Sequence, residues 1–202
     1  MNKKTSILAV LTVMVIAAVV ACTDLSGSDK KMATKNGLSA KDSAERVIRG
    51  EYLVNTIGCD DCHSPKKMGP QGPELIPELR FSGFTKGNQV PPVDTKSIQK
   101  GWSLLGPDLT VAAGGWGISF AANLTSDATG IGNWKEENFI RAIREGKSKG
   151  LEGGRPLLPP MPWFVYKNLS DEDLKSIFAY LKTTKPVNNA VPNPIPFGEI
   201  KQ

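Results

Sequence analysis

Apolar residues recur at helical spacing in three segments of the chain. The first segment runs from about residue 40 to residue 57, and its predicted buried face carries Val47, Tyr52, Val54 and Ile57. Gly50 lies inside this segment, although a glycine within a helix costs about 1 kcal/mol relative to alanine. We therefore expect another helix to pack closely against Gly50, and we expect the first helix to end at Gly58.

The second segment is marked by its predicted ends. Asn133 is the predicted N-cap, with the side chain of Glu136 reaching back to it. The helix is expected to run to Glu145 and to close at Gly146. Its predicted buried stripe consists of Phe139, Ala142 and Ile143.

The third segment begins at Ser170, which forms a start like a capping box with Asp173. One side chain of this helix, Phe178 or Tyr180, is the predicted neighbour of Gly50. The apolar positions at helical spacing form its core face: Leu174, Ile177, Phe178 and Leu181.

The stretch Cys59-Asp60-Asp61-Cys62-His63 follows the first segment directly. Two cysteines separated by two residues, with a histidine after the second, are the attachment signature of a c-type haem. Each thiol adds to one vinyl group of the porphyrin, and the histidine supplies the proximal ligand of the iron. His63 is the only histidine in the chain. The sequence therefore predicts one haem c, bound covalently through Cys59 and Cys62 and ligated by His63.

This cysteine pair has two alternative uses. Cys59 and Cys62 can form a redox dithiol, although the flanking sequence lacks the strand-then-helix context typical of that motif. A zinc site requires about four ligands, and beyond Cys22 the chain offers only His63 and no further free thiol. Haem attachment is the interpretation that employs all three side chains.

Residues 64–132 show almost no periodicity and contain turn signals such as Pro91-Pro92 and Gly114-Gly115-Trp116-Gly117. A stretch of this length without secondary structure is unusual in a compact domain, but a bulky haem gives loops a surface to cover. We therefore predict an all-α cytochrome c fold, with three to five short helices and long Gly/Pro-rich loops around the haem. This domain is expected to span residues 43–195, followed by a C-terminal tail at residues 196–202.

Met161 is the candidate for the distal ligand of the iron. It lies in residues 153–163, where prolines exclude a helix and would hold the thioether in place. Among the other methionines, Met32 lies in a polar stretch and Met68 is only five residues from His63. A methionine ligand raises the haem potential and suits electron transfer. The alternative is that Met161 fills a gap in the core.

Further side chains are candidates to surround the haem. Arg80 and Arg155 can pair with its propionates, because a guanidinium group suits carboxylates, although a solvated surface position explains them equally well. Aromatic residues that can wall the haem, or pack in an ordinary core, are Trp102, Trp116, Phe120 and Trp134.

The N-terminus has the features of a bacterial lipoprotein signal. Lys3 and Lys4 precede an apolar run of about fifteen residues, which is shorter than the roughly twenty that a membrane-spanning helix needs. The run ends in Val19-Val20-Ala21-Cys22, which resembles a lipobox, whose cysteine is acylated and becomes the new N-terminus.

We therefore predict a signal peptide at residues 1–21, lipidation of Cys22 and a flexible tether over residues 22–42. The alternative is a plain secretory signal followed by a chance cysteine. Lipidation predicts an extracytoplasmic protein on the periplasmic side, anchored to the membrane through Cys22.

The formal net charge of +5 does not indicate a nucleic-acid partner. Loss of Lys3 and Lys4 with the signal peptide lowers the charge to +3, and two haem propionates lower it further. Basic residues also alternate with acidic ones, as in Lys135-Glu136-Glu137, which is typical of a solvated surface.

Several blocks of the sequence, taken in order, resemble one haem domain of a bacterial family. They are residues 49–54, 58–65, 129–134, 180–182 and 186–187, Asn123-Leu124-Thr125-Ser126-Asp127 and Met161-Pro162-Trp163. Over about residues 45–193 the chain is similar to the class I-like cytochrome c subunits of membrane-bound alcohol, aldehyde and gluconate dehydrogenases. The resemblance implies the cytochrome c fold, His63/Met161 ligation and periplasmic electron transfer. Those subunits usually carry two or three haem motifs, whereas this chain has one.

The main hypothesis is a lipid-anchored mono-haem cytochrome c that carries single electrons between protein donors and acceptors. It is not expected to be an enzyme or to bind a small-molecule substrate, because His/Met ligation leaves no open position on the iron. One alternative is an open-site haem protein, such as a gas sensor or a peroxidase. Another is an electron-transfer subunit docked on a dehydrogenase complex.

Overall fold

The computed structural model describes residues 40–201. The predicted signal peptide, Cys22, Met32 and most of the predicted tether lie outside the described residues. Within residues 40–201, no helix has both the length and the apolar character that crossing a membrane requires.

Six α-helices and three short 3-10 helices are found in the described range. The α-helices are α1 (Ala40–Thr56), α2 (Cys59–His63), α3 (Thr95–Gln99), α4 (Glu136–Glu145), α5 (Trp163–Tyr166) and α6 (Asp171–Leu181). The 3-10 helices are Pro77–Leu79, Ser148–Gly150 and Phe197–Glu199.

Five short strands form two antiparallel sheets in the same range. The strands are β1 (Lys66–Gly69), β2 (Gly72–Leu75), β3 (Leu104–Leu105), β4 (Val111–Gly114) and β5 (Gly117–Phe120). β1 pairs with β2, and β4 lies between β3 and β5 in a three-stranded sheet. A two-residue turn, Gly115-Trp116, joins β4 to β5.

The prediction of an all-α fold is therefore wrong. Strands of two to four residues are too short to display a period in the sequence. Every residue of β4 is buried, so apolar and polar positions do not alternate there. The predicted turn at residues 114–117 was correct, but it joins two strands of a hairpin and not two loops.

The main hydrophobic core lies between α1, α4 and α6. The buried stripe predicted for α4 and the core face predicted for α6 are both confirmed. The face predicted for α1 is partly wrong, because Tyr52 is exposed and its neighbour Leu53 is buried together with Val54. Phe81 and Ile131 complete this core from the loops.

The predicted helix ends are correct except at the start of α4. Gly146 takes the left-handed conformation (φ 63°) that closes α4, and the Ser170 hydroxyl accepts a hydrogen bond from the Asp173 backbone N–H at 3.0 Å. The N-cap of α4 is Lys135 and not Asn133. The amide oxygen of Asn138 accepts from the Lys135 backbone N–H at 3.1 Å, so an amide takes the part predicted for Glu136.

A second hydrophobic core joins the three-stranded sheet to the segment that follows α6. Its buried members are Phe84, Ile98, Val111, Ala113 and Ile118. Ile118 and Ile195 exchange backbone hydrogen bonds of 2.8 and 3.0 Å, and Phe197 and Ile200 pack against the same cluster. The segment after α6, including the predicted C-terminal tail at residues 196–202, therefore packs onto the sheet.

The close approach predicted at Gly50 is confirmed. A Cβ atom built at Gly50 would overlap the backbone carbonyl of Ser176 and would lie 2.8 Å from Cβ of Tyr180. Both neighbours belong to α6, so the absence of a side chain at Gly50 sets the distance between α1 and α6.

We expect Gly50→Ala to lower the free energy of unfolding by about 3 kcal/mol, because backbone and not a flexible side chain occupies the space. Urea unfolding of the purified protein measures this change. Gly153→Ala is the control, since nothing lies within 4 Å of the added Cβ atom. Equal unfolding midpoints for the two variants would contradict the prediction.

Candidate haem site

The predicted haem-attachment motif forms one helical turn, α2. Gly58, in the left-handed conformation (φ 76°), precedes the turn and separates it from α1. Cys59, Cys62 and His63 occupy positions i, i+3 and i+4, which lie on the same face of a helix. Both cysteines are free thiols. The structure therefore brings together the three side chains that the motif predicted.

The ring of His63 is held by a backbone carbonyl. Its Nδ1 lies 2.8 Å from the carbonyl oxygen of Ala122, and a carbonyl can only accept a hydrogen bond. Nδ1 therefore carries the hydrogen, and Nε2 keeps a free lone pair for a metal. Burial lowers the pKa of His63, which favours the neutral ring that an iron ligand requires.

The two thiols are held in their protonated form. Burial, followed by the nearby charges of Asp60 and Asp61, raises the pKa of Cys59 to about 12. Burial also raises the pKa of Cys62. Because dithiol oxidoreductases depend on a thiol of lowered pKa, these shifts count against the redox-dithiol alternative.

An ion pair holds the carboxylate within the motif. Nε of Arg80 lies 3.0 Å from Oδ1 of Asp60, and Nη2 lies 2.6 Å from Oδ2. The hydrogen bond to Asp60 raises the pKa of Arg80. Arg80 also donates to Asn55 of α1 and to the hydroxyl of Tyr180 of α6. Arg80, a candidate for a haem propionate, is therefore bound to the attachment turn itself.

Lys66 holds the carboxyl end of the same turn. Its ammonium nitrogen lies within hydrogen-bond distance of four backbone carbonyls, those of Asp61 (2.7 Å), Ser64 (2.9 Å), Asp60 (3.1 Å) and Asp108 (3.2 Å). A positive charge at the C-terminus of a helix is favourable, and Lys66 supplies a donor to the Asp61 carbonyl at the end of α2.

Met161 and Cys59 both pack, partly buried, against the main core. Two contacts hold the segment around Met161. The Leu157 backbone N–H donates to the Gly146 carbonyl at 2.7 Å, and the Ser119 hydroxyl donates to the Pro159 carbonyl at 2.6 Å. Ser119 belongs to β5, so the sheet contacts the loop that carries Met161.

Tyr166 connects the end of α5 to the attachment turn. Its hydroxyl donates to the carbonyl of Ile57 at 2.8 Å, two residues before Cys59. The pKa of Tyr166 is raised by burial first and then by the proximity of Cys59 and Cys62. The chain therefore returns to the turn within five residues of Met161.

The other predicted haem neighbours are dispersed. Trp134 packs against the main core, whereas Trp102 is 67% exposed. Phe120 packs on Phe84 in the second core, with ring centroids 4.8 Å apart. Trp116 donates from its indole nitrogen to Ser119. Only Trp134 of the four aromatic candidates therefore borders the core that Cys59 and Met161 contact.

Sequence reasoning missed Ala122, Ser119, Lys66 and the role of Asp60. No local pattern marks a backbone carbonyl as the acceptor for a histidine that lies 59 residues away. In the sequence the two aspartates inside the motif serve only as spacers between the cysteines, and neither lysine nor serine is distinctive in a polar loop.

The residues present fit a haem of the c type. Two free thiols and an imidazole with Nε2 as its free nitrogen lie on one turn. Partly buried apolar side chains border the core beside it, as an apolar cofactor requires: Ile57, Leu124, Trp134, Ile140, Met161, Tyr166 and Leu169. Fold and donor set together fit a c-type haem on a mixed helical and sheet scaffold.

Comparison with known proteins agrees with this class. No protein-family model matches the chain. The chain is 40% identical over 104 residues to the fructose dehydrogenase cytochrome subunit of Gluconobacter japonicus. This alignment covers 46% of this chain and 21% of that protein. It is 31% identical over 135 residues to the gluconate 2-dehydrogenase cytochrome c subunit of Pantoea cypripedii. This alignment covers 66% of this chain and 22% of that protein.

A third relative is the cytochrome c subunit of a quinone-dependent alcohol dehydrogenase from Gluconobacter oxydans. The identity is 35% over 157 residues, which make up 75% of this chain and 26% of that protein. The chain thus spans about a quarter or less of these relatives. Its homologues are cytochrome c subunits of dehydrogenases, and the resemblance seen in the sequence is confirmed.

We expect Lys66→Met to lower the free energy of unfolding by about 2 kcal/mol, because charge-assisted hydrogen bonds to the end of α2 are lost. Denaturant unfolding measures the change. Lys67→Met is the matched control, since Lys67 is the exposed neighbour in the same strand. If both variants unfold at the same denaturant concentration, Lys66 does not stabilise the turn.

Proposed function

We propose that this protein is a mono-haem cytochrome c that carries single electrons between protein partners. The haem is attached through Cys59 and Cys62, with His63 as the proximal ligand. When bound, the haem iron supplies a one-electron redox couple. The observation that carries the proposal is the Nδ1 hydrogen bond of His63 to Ala122, which leaves Nε2 available beside the two thiols.

We propose Met161 as the distal ligand. Its support is positional: Met161 packs against the core that also contacts Cys59, and Tyr166 brings the following helix back to the attachment turn. A hydrogen bond from Ser119 to Pro159 holds the loop that precedes it. The role of the protein is then to hold two ligands in place and to keep other ligands from the iron.

A second candidate is an electron-transfer subunit that docks on a dehydrogenase. The names of the relatives favour it, because each is a cytochrome subunit of such an enzyme. Exposed apolar side chains next to Met161, those of Phe164 and Val165, are available for protein contact. In either case the chain carries electrons and does not itself convert a substrate.

We further propose that the protein is a lipoprotein on the periplasmic side of a bacterial membrane. The support is the lipobox-like sequence that ends in Cys22. A lipid on this residue would keep the haem domain near membrane-bound redox partners.

The oxidised parent protein is expected to show a weak red absorption band from methionine to iron and to bind little carbon monoxide when reduced. Met161→Ala should lose the band and bind carbon monoxide or cyanide readily, because one axial position is then open. Visible spectra of the soluble holoprotein test this.

Met68→Ala is the matched control, because Met68 is 70% exposed and should leave both spectra unchanged. A parent protein that lacks the band and binds carbon monoxide readily would show that Met161 is not a ligand. The open-site haem protein would then be the better account.

Lipidation of Cys22 predicts that the full chain incorporates a labelled fatty acid and partitions into detergent. A Cys22→Ala chain that carries an ordinary cleavable signal peptide should incorporate no label and stay in the aqueous phase. Its haem content serves as the control for folding and export. A parent chain that is unlabelled and aqueous would favour the plain secretory signal.

A further inference from the structure

We propose that Arg80 is a positioning residue of the haem site. It fixes the attachment turn through Asp60 and, by balancing the charge of that carboxylate, sets the reduction potential of the haem. The inference rests on the proposed function, because a haem potential exists only if the turn carries a haem. Asp60, one of the two aspartates between the cysteines, thereby becomes part of the site.

The ion pair is bidentate. Nε of Arg80 lies 3.0 and 3.1 Å from Oδ1 and Oδ2 of Asp60, and Nη2 lies 2.6 Å from Oδ2. Such paired contacts restrain the orientation of a carboxylate as well as its position. Oδ1 also accepts a hydrogen bond of 2.6 Å from the Ser64 hydroxyl, and Ser64 directly follows His63. One carboxylate therefore holds both ends of the turn.

Arg80 is itself anchored to the helix pair behind the turn. Its Nη2 donates to Oδ1 of Asn55 in α1 at 2.6 Å, and its Nη1 donates to the Tyr180 hydroxyl in α6 at 3.3 Å. The guanidinium carbon lies 4.5 Å from the centre of the Phe81 ring. The turn is thus tied through one side chain to α1 and α6, which carry most of the main core.

The pair is more shielded from solvent than an exposed ion pair such as that of Arg144 with Asp171. The side chains of Asp60 and Arg80 are 17% and 33% exposed, compared with 68% for Asp171 in its pair with Arg144. Water and salt screen a pair less when it is partly buried. Asp60 is three residues before His63 on the same turn, so an unbalanced charge there acts on the iron.

Removing either partner should move the potential in opposite directions. Ferric haem carries one more positive charge than ferrous haem, so an unpaired carboxylate stabilises the ferric state and an unpaired guanidinium destabilises it. Arg80→Gln should therefore lower the potential, and Asp60→Asn should raise it. The double variant removes both charges, so its reduction potential should be close to that of the parent. If Arg80 only held the turn in place, the two single variants would not be expected to shift the potential in opposite directions.

The experiment is a spectroelectrochemical titration of the purified holoprotein at one pH and one salt concentration. Covalent haem and a redox transition in the parent are established first. We expect each single variant to change the one-electron equilibrium constant about threefold to tenfold, in opposite senses. Arg80→Lys keeps the charge and should stay near the parent potential while its methionine-to-iron band weakens, because the bidentate contact is lost.

Arg49→Gln is the matched control. It removes an exposed ion pair between α1 and Asp173 of α6, and it should leave the potential unchanged. The inference is overturned if Asp60→Asn and Arg80→Gln shift the potential in the same direction, or if neither shifts it while the parent holds its haem. A parent without covalent haem overturns the proposed function, and the inference falls with it. If Arg80→Gln does not mature, the near-isosteric Asp60→Asn decides by its sign.

Discussion

The hydrogen bond between the His63 ring and the Ala122 carbonyl is the contact on which the site depends. It sets which ring nitrogen is free, and it joins the attachment turn to the loop that follows β5. Backbone bonds continue this connection, since the Gly83 N–H donates to the His63 carbonyl at 2.8 Å and the Phe84 N–H donates to the Ala121 carbonyl at 3.0 Å. The imidazole is therefore oriented by the backbone and not by a substitutable side chain.

Both the helices and the three-stranded sheet contribute contacts to this site. α1, α4 and α6 form the main core, against which Cys59 and Met161 pack. The three-stranded sheet has its own core, and Ser119 of β5 contacts the loop that carries Met161. Ala122, two residues after β5, contacts His63. A purely helical fold with covering loops would lack the hydrogen bond from the sheet to the loop that carries Met161. The sheet therefore helps to position a proposed ligand.

Charge is concentrated around the attachment turn and is matched there by specific partners. Lys66 binds the carbonyls at the end of α2, and Arg80 binds the carboxylate of Asp60 inside the motif. Both cations lie partly shielded from water, where a lost partner is more costly than on an open surface. Fixed partners of this kind would limit rearrangement around the proposed haem, which suits the proposed transfer of single electrons.

The sequence by itself determined what rests on local spacing. One helical turn sets the distance between Cys59, Cys62 and His63, and the 3.6-residue period marks the buried faces of α4 and α6. Gly50 predicted a helix contact because glycine inside a helix is less stable than alanine, and close packing of another helix explains its presence. Only the tertiary structure decided the sheets, the exposure of Tyr52 and the partners of the haem turn. Those features arise from contacts between residues far apart in the chain, such as Arg80 with Tyr180, and such contacts leave no periodic mark on either partner.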